Sequence, residues 1–455
     1  MNKLIVSICA VAALSRLGFA DEPEEGTWRY SPAAENQYGV NCITDGNWWL
    51  KVTDWTATVF SFSSNFSTAY KAGSGKLDLA KAEADLGRTW LFYENNSFNG
   101  QTTMTEFVFP ARCNKLCASG FANCSNLEKI SGGGAFTAIP DRWVQSCGKL
   151  TTIELNFTNV TSIGLQSFCL CNVPKLEFPS LGEMTANYAF TASQRQGSGL
   201  VEFYAPALTN ITGKETFGGC AKLETVVLSS NIVNVGEGTF VNCSALRKVT
   251  PSRFYAYGCS GDFMRSAANN YEDTVTLYGD DPAKDGTGFG LLFHTSGVPA
   301  VDMTYVMQNV TIKQTFQKAT RLEEIRLGPC MTNLVDQGGS AMFPSTLKRM
   351  YFTGYAPRAT GTFFDANKVV DYQVRAYVDP KFDKGWKVGT LSRSRALTSG
   401  EIELLDQPGY EDVKAEYLKG NLLGTWQYAL SGKRLWLIKW QSPHRKVPGL
   451  MILLK

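Results

Sequence analysis

A seven-residue motif, Phe-x-x-Cys-x-x-Leu, recurs along this chain and constrains its fold more than any other feature. Complete copies occupy residues 121–127, 217–223 and 240–246. Consecutive copies are in phase, since Cys220 and Cys243 lie 23 residues apart, as do Cys124 and Cys147. A fixed period of this size is typical of a solenoid, because one unit cannot bury its apolar face alone and must stack on its neighbours. We therefore predict a β-rich solenoid.

Each repeat contains two further apolar stretches. The leucine of the motif begins a strand with the pattern Leu-x-x-φ-x-φ, where φ is apolar, as in Leu223, Val226 and Leu228. The last two positions alternate, so they face the same side of a strand. A second stretch, such as residues 233–236, ends at a glycine that permits a tight turn. Stacking would align equivalent side chains in columns, with phenylalanine as the thickest part of the core.

The repeat also predicts which side chains form the core. We expect the shared phenylalanine, cysteine and leucine positions to be buried, because they are the apolar positions that the copies have in common. The predicted repeat-core residues are Phe121, Cys124, Leu127, Cys147, Leu150, Phe168, Cys171, Phe217, Cys220, Leu223, Phe240, Cys243, Leu246, Phe316 and Leu322.

The first 20 residues have the pattern of a secretory signal. Lys3 gives a positive start, residues 4–14 are apolar, and Gly18 and Ala20 are small residues at the positions that a signal peptidase reads. The apolar run is too short to span a bilayer. No later segment of the sequence is long and apolar enough to be transmembrane. We predict an exported protein, secreted or at the cell surface, with no transmembrane segment beyond the signal peptide.

Composition narrows the class of partner. A formal net charge of +3 over 455 residues produces no strong electrostatic field, so we expect no nucleic-acid partner. Abundant glycine and aromatic residues with modest charge suit a β-rich protein.

The cysteines have two interpretations. One of the 12, Cys9, lies in the predicted signal peptide, which leaves 11. Ala319 occupies the cysteine position of a later copy, so packing explains this position better than bonding, and we favour buried free thiols. A zinc site is not predicted, because no Cys-x-x-Cys pair exists and the chain has 2 histidines. Disulfides remain the alternative for two pairs, Cys113 with Cys117 and Cys169 with Cys171.

The repeats resemble the BspA-type leucine-rich repeats of bacterial surface proteins, which are also found in some parasitic protists. The resemblance rests on residues 109–121, on residues 208–217 and, most closely, on residues 237–243. It covers residues 105–250 well and 311–380 loosely. It implies a leucine-rich repeat fold of about 23 residues per repeat. Similar proteins are associated with adhesion to host matrix proteins and with co-aggregation.

We place the solenoid at residues 105–380, with three departures from the period. Residues 191–199 replace the cysteine expected after Phe190. Cys169 and Cys171 belong to a slipped copy, after which Leu176 is expected to turn outward. Residues 251–310 break the period. We interpret them either as an insertion, which could form a functional protrusion, or as several degenerate repeats.

Residues 21–104 lack the motif and carry tryptophans among alternating polar and apolar residues. We predict a β-rich N-terminal cap that shields the first repeat, which a solenoid needs. Trp48, Trp49 and Trp55 are candidate ligand-contact aromatics, because tryptophan faces can stack on sugars. We favour the other interpretation, that they fill the core of the cap, since the segment has few other large apolar residues.

A small C-terminal α+β module is predicted for residues 381–455. Apolar side chains in residues 410–418 recur at helical spacing. Residues 426–430 and 435–440 have the pattern of two strands joined in a hairpin. The change of composition suggests the hypothesis that this module retains the protein at the surface.

No catalytic motif stands out in the sequence. It contains no G-x-S-x-G, no H-E-x-x-H and no phosphate-binding loop. Residues 281–286 have the look of a calcium loop but contain Lys284 and lack alternating acids. We therefore predict no catalytic, cofactor-binding or metal-binding residue and no cofactor.

Our leading prediction is a non-enzymatic, exported protein whose solenoid face binds a protein or glycan partner. One alternative is an exported carbohydrate-active enzyme, with its site in residues 251–310 or in the tryptophan-rich cap. Another is a structural protein of the cell envelope. A cleft with carboxylates beside tryptophans would favour the enzyme, whereas a broad strand face without a deep pocket would favour binding.

Overall fold

The structure is a computed structural model in which the chain forms two compact units, Met1–Leu181 and Gly182–Lys455. The predicted signal peptide lies outside the described residues. Described are residues 26–52, 59–60, 73–90, 98–192, 195–256, 259, 262–279, 288–307, 311–331, 333–335, 341–355, 357–360, 364, 368–379, 381, 392–428 and 434–440.

The first unit is built mainly from short strands. Among its described residues, the helices are the 3₁₀ helix Ala33–Glu35 and the α-helix Leu79–Leu86. Its strands are Arg29–Ser31, Cys42–Thr44, Trp49–Lys51, Val59–Phe60, Gly75–Asp78, Thr89–Trp90, Met104–Phe109, Lys129–Ala135, Ala138–Ile139, Thr152–Asn156, Ser162–Ile163 and Lys175–Glu177.

Strands one repeat apart pair in parallel in the first unit, as a solenoid requires. The main sheet runs in the order Gly75–Asp78, Met104–Phe109, Lys129–Ala135, Thr152–Asn156. The second apolar stretch of each repeat forms its own ladder, in which Ala138–Ile139 pairs with Ser162–Ile163. The sheet begins at Gly75, inside the segment predicted as a cap, so the parallel stack starts earlier than the motif does.

An antiparallel meander precedes the parallel sheet. It consists of Arg29–Ser31, Cys42–Thr44 and Trp49–Lys51. Helix Leu79–Leu86 was not predicted. Its first turn is capped by the Asp78 side chain, which accepts a hydrogen bond from the Lys81 backbone N at 2.8 Å.

The second unit continues the same construction. Its α-helices are Ser399–Leu404 and Glu411–Leu418. Its strands are Glu183–Met184, Glu202–Tyr204, Asn210–Ile211, Thr225–Val227, Asn234–Val235, Lys248–Thr250, Arg253–Tyr255, Thr274–Gly279, Gly288–Phe289, Ala300–Val306, Thr311–Lys313, Glu324–Leu327, Asn333–Val335, Arg349–Phe352, Arg358–Thr360, Arg375–Val378, Ser392–Arg395, Leu422–Tyr428 and Arg434–Lys439.

The largest sheet of the second unit explains the interrupted period. In this sheet, strands Arg253–Tyr255, Thr274–Gly279 and Ala300–Val306 pair in parallel with one another. They then lead directly into Glu324–Leu327. Within the described part of residues 251–310, the chain therefore follows repeat geometry without the repeat sequence. This supports degenerate repeats over an insertion.

The C-terminal module completes this sheet. Arg434–Lys439 pairs in parallel with Arg375–Val378 and antiparallel with Leu422–Tyr428. The predicted hairpin and the predicted helix, here Glu411–Leu418, are confirmed. Four buried side chains join the two helices to the hairpin: Leu405, Val413, Trp436 and Ile438.

The Phe-x-x-Cys segment forms a turn that hydrogen-bonds to the equivalent turn of the next repeat. The Phe217 backbone N donates to the Thr239 carbonyl at 3.0 Å, and the Gly219 N donates to the Val241 carbonyl at 2.7 Å. The backbone dihedral angle φ of Gly219 is 73°, and the backbone of Asn123 and of other residues at this position is also in the left-handed region. Glycine and asparagine tolerate that conformation best, which explains their presence before the cysteine.

Phenylalanine side chains form the predicted columns. In the second unit, the Phe217 ring lies 5.0 Å from Phe190 and 5.7 Å from Phe240 between centroids, nearly parallel to both. In the first unit, Phe98 and Phe121 stack at 5.5 Å. These contacts continue the core from one repeat to the next within each unit.

Candidate ligand-binding face

The structure places all fifteen predicted repeat-core residues inside the protein. Each has 2 % or less of its surface exposed. Leu176, which was expected to turn outward, is also buried, so that prediction is wrong. Its side chain continues the inward column from strand Lys175–Glu177. Buried columns cannot contact a ligand, so any binding site must use other positions of the repeat.

The cysteine position serves both packing and hydrogen bonding. The Cys124 thiol donates to the Phe98 carbonyl at 3.0 Å, and the Cys243 thiol donates to the Phe217 carbonyl at 3.0 Å. Each donor reaches back to the preceding phenylalanine turn. Ala319 keeps the packing but has no hydrogen-bond donor, so the column tolerates the loss of the thiol hydrogen bond in one copy.

The buried-thiol interpretation fits the structure. No disulfide joins any pair of the described cysteines, including the two pairs for which bridges were considered. Burial raises the pKa of Cys220 to about 11, so its thiol stays protonated at neutral pH. A protonated, enclosed thiol is a packing group rather than a nucleophile.

The candidate ligand-contact tryptophans do not form an open platform. Trp48 and Trp49 are buried, with 1 % and 7 % of their surfaces exposed. The Trp48 indole N–H donates to the Lys76 carbonyl at 2.9 Å, which ties the meander to the first parallel strand. Stacking on a sugar requires an exposed ring face, so these two residues belong to the core. Trp55 lies outside the described residues.

The outward side of the largest sheet is a better candidate. Its repeat strands from Ala300–Val306 to Arg375–Val378 are parallel, so Asp302, Arg326, Tyr351 and Tyr377 occupy the same position in successive repeats. Paired strands lie ~4.8 Å apart, which brings such side chains into direct contact. We call the following residues the tyrosine–arginine face: Arg253, Tyr278, Arg326, Tyr351 and Tyr377.

Rings and guanidinium groups stack along this face. The Arg253 Cζ lies 4.2 Å from the Tyr278 ring centroid, and the Arg326 Cζ lies 5.1 Å from that of Tyr351. Tyr351 and Tyr377 stack at 4.6 Å with 11° between their planes. Cation–π contacts and ring stacking therefore hold the side chains in order before any ligand arrives.

Ion pairs neutralise the cations beside the rings. Arg326 lies 2.9 Å from Glu324, and Arg349 lies 3.0 Å from the same carboxylate. Arg326 also approaches Asp302 at 3.9 Å. These pairs are partly exposed, so they contribute little to stability, but they fix the guanidinium orientation. The face thus presents fixed hydrogen-bonding groups without a large net charge.

The tyrosine hydroxyls remain donors at neutral pH. Burial raises the pKa of Tyr377 to about 12, and the neighbouring Tyr351 adds to the shift. The pKa of Tyr351 is also raised, first by burial and then by Glu324. Raised values keep both phenols protonated, so the face offers O–H groups rather than phenolates.

The C-terminal module forms one border of this face. Trp440 meets the Tyr351 ring at 4.8 Å between centroids. Arg375 pairs with Asp412 of helix Glu411–Leu418 at 3.0 Å. A cavity of about 340 Å³ lies there, lined by Lys348, Arg349, Arg375, Glu411 and Asp412.

The sequence pattern did not predict this face, although a signal for it is present. The pattern Leu-x-x-φ-x-φ specifies the two inward positions of the strand and leaves the residue between them undefined. That residue is Arg326 between Ile325 and Leu327, and Tyr351 between Met350 and Phe352. Only the register shows that these residues align.

Two further observations bear on chemistry. Among the described residues, no group of three or more His, Cys, Asp and Glu side chains is placed to hold a metal ion. No helix in the described parts of the chain has the length and apolar character needed to cross a membrane.

One comparison with known protein families agrees with the repeat architecture. The model of the BspA type leucine-rich repeat region matches in six copies over residues 92–196 and 196–264. The resemblance inferred from the motif is therefore confirmed for residues 105–250, whereas the looser resemblance of residues 311–380 lies outside the matched range. A comparison with curated proteins finds no match.

Several solved structures are similar to this chain, and the first is a leucine-rich repeat protein. It is from Bacteroides ovatus, with 14 % identity, 79 % of this chain and 94 % of that chain covered, and a TM-score of 0.38. Another is a leucine-rich cell surface protein from Faecalibacterium prausnitzii, with 14 % identity, 68 % and 87 % covered, and a TM-score of 0.34. The pneumococcal vaccine antigen PcpA matches at 12 % identity, with 79 % and 95 % covered and a TM-score of 0.28.

Proposed function

Because this chain carries BspA-type leucine-rich repeats, we propose that it is an exported, non-enzymatic protein that binds a protein partner through the tyrosine–arginine face. Export is supported by the sequence of residues 1–20, with its positive start, apolar run and small residues at a cleavage position. The location of the binding site is supported by the geometry of this face.

The ordered ladder of Arg326, Tyr351 and Tyr377 is the observation that carries the proposal. Tyrosine and arginine are enriched among the residues that dominate binding energy at protein interfaces. Stacking and ion pairing already immobilise these side chains, so little conformational entropy is lost when a partner binds. Partial exposure leaves their edges accessible, since the Arg326 side chain retains 35 % of its surface.

The stacking also favours a protein over a glycan. One ring face of Tyr351 is covered by Tyr377, and Arg326 lies over the same ring at 5.1 Å. A sugar stacks through an open aromatic face, which this arrangement does not offer. The exposed edges present hydroxyl and guanidinium donors, which match backbone carbonyls and side-chain carboxylates of a protein.

A binding screen tests the proposal. The purified chain, residues 21–455, is applied to arrays of extracellular-matrix proteins and of glycans. We expect saturable binding to a protein that survives moderate salt, because the face carries little net charge. The double variant Arg326→Ala/Tyr351→Ala should bind that protein at least about tenfold more weakly, as expected for hot-spot residues.

The matched control is Tyr204→Ala. Tyr204 is an exposed strand tyrosine of the same unit, with 40 % of its surface exposed, and it belongs to a different sheet. Its loss should leave affinity unchanged. The proposal fails if binding is confined to glycans, or if the Tyr204 variant and the double variant lose affinity equally.

A further inference from the structure

A slot opens on the main sheet of the first unit, at the strand Thr152–Asn156. This strand is the last of its sheet and pairs with Lys129–Ala135 on one edge only. A cavity of about 330 Å³ lies beside its other edge, with Lys175–Glu177 lining the opposite wall. In the sheets that the structure describes, these two strands are not paired with each other.

Apolar side chains are exposed inside this slot. Phe107, Ile130 and Ile153 occupy the same register position in successive repeats. The first two are fully buried, at 0 % exposed, whereas Ile153 is only half-buried. Leu155 is half-buried as well, and the buried side chain of Leu176 lies in the opposite wall. The inward column of Phe107, Ile130 and Ile153 is therefore partly exposed at its last member, Ile153.

From this geometry we infer that the slot binds a short, extended, uncharged peptide segment by strand addition to Thr152–Asn156. An unpaired strand edge presents backbone N–H and C=O groups at the spacing of an extended chain. A branched apolar side chain on the added segment would cover Ile153 and Leu155 as a neighbouring repeat does elsewhere. This site is independent of the tyrosine–arginine face.

Charge decides the chemistry of the segment. The two charged residues that line the slot, Lys175 and Glu177, pair with each other at 2.7 Å. On the strand Thr152–Asn156, Glu154 pairs with Lys129 at 2.7 Å. Both carboxylates are already matched, so a charged residue in the segment would gain no partner and would lose hydration. An uncharged segment rich in β-branched residues fits the apolar wall.

The test uses a peptide that copies a repeat strand of this chain. The probe is acetyl-TVVLSS-amide, the sequence of residues 225–230, labelled with fluorescein. Thr152–Asn156 already pairs with a repeat strand, Lys129–Ala135, on its other edge, so a peptide with a repeat-strand sequence suits its backbone. We expect saturable binding to residues 21–455 and slower hydrogen exchange at residues 152–156 and 175–177 when the peptide is present.

Three controls make the result decisive. The same peptide with proline in place of both valines lacks the backbone donors and should neither bind nor slow exchange. Leu155→Arg places a charge in the slot and should weaken peptide binding at least tenfold. Asn114→Arg adds the same charge at an exposed position and should leave binding unchanged.

Other results would overturn the inference. If exchange at residues 152–156 slows with rising protein concentration and no peptide, a second copy of the chain fills the slot instead. If the proline peptide binds as well as the probe, or if neither peptide slows exchange at this strand, strand addition does not occur. The exchange measurement on the unsubstituted chain remains valid even if Leu155→Arg fails to fold.

Discussion

At the scale of single residues, the cysteine position shows how a small side chain can join two repeats. Its thiol is buried and donates to the phenylalanine carbonyl of the preceding turn, as Cys147 does to Phe121 at 2.9 Å. The motif and the composition of its copies were sufficient to predict that the cysteine side chain is buried. The hydrogen bond could not be predicted, because it depends on the path of the previous turn.

Cys220 should resist alkylation in the folded protein. Burial raises its pKa to about 11, so the reactive thiolate forms only near or above that pH, and the enclosed sulfur is also inaccessible. Treatment with iodoacetamide at pH 8, followed by mass mapping, should leave Cys220 unmodified until guanidinium is added. Cys330 is less buried and provides the internal comparison. Rapid labelling of native Cys220 would contradict its burial.

Gly219→Ala should destabilise the protein by about 1–3 kcal/mol, since a side chain is strained in the left-handed region. Gly219 has a φ of 73°, and an added Cβ would lie 1.8 Å from the Arg195 carbonyl oxygen. Chemical denaturation measures the change. Gly148→Ala is the matched control, because no atom lies within 4 Å of its added Cβ. Equal stability of the two variants would show that the turn is not built as described.

At the scale of elements, the motif predicts the repeat but not every copy. The strands around Val226 and the phenylalanine turns follow from periodicity. Helix Leu79–Leu86 was not predicted, because the alternating polar and apolar residues around the tryptophans favoured strands. Asp78 before the helix and Gly87 after it are nevertheless typical capping residues. The repeat strands in the described part of residues 251–310 could not be predicted, because backbone pairing with neighbouring strands holds them without the motif.

Phe217→Ala should cost ~3–5 kcal/mol of unfolding free energy, the range for removing a fully buried aromatic side chain. The Phe217 ring is 0 % exposed and stacks between two phenylalanines, so its loss leaves a cavity that neighbours cannot fill without moving. Phe217→Leu should cost clearly less. A denaturation midpoint unchanged by Phe217→Ala would exclude the stacked column.

At the scale of the whole molecule, the C-terminal module is a continuation of the second unit rather than an appendage. Its composition differs from that of the repeats, which suggested a separate module for surface retention. Its strand Arg434–Lys439 nevertheless pairs with the last repeat strand, Arg375–Val378. Periodicity could not predict this, because the pairing joins a repeat to a segment without the motif.

Deleting residues 381–455 should therefore reduce soluble, folded protein and not only surface retention. The deletion exposes the edge of Arg375–Val378 and removes Trp436 from its buried cluster, and an unprotected edge promotes aggregation. Deleting residues 441–455 alone removes none of the described residues and is the control. Monodisperse, cooperatively unfolding protein after the longer deletion would show that the module does not cap the sheet.

The tyrosine–arginine face could be predicted only in part. The sequence showed that outward strand positions exist and that the chain is a repeat protein. It could not show that Arg326, Tyr351 and Tyr377 share one register position, because these residues lie 25 and 26 residues apart and so depart from the 23-residue period. Alignment of side chains across strands is a property of the folded sheet.

Hydroxyl-radical footprinting of the complex with the protein partner tests the central claim most directly. Oxidation of Tyr278, Tyr351 and Tyr377 is measured by mass spectrometry in the free and bound chain. We predict that binding slows oxidation of these three residues and leaves Tyr204 unchanged, because Tyr204 lies on another sheet. Unchanged oxidation of all three, with protection of Tyr204 or another region instead, would contradict the assignment of the binding face.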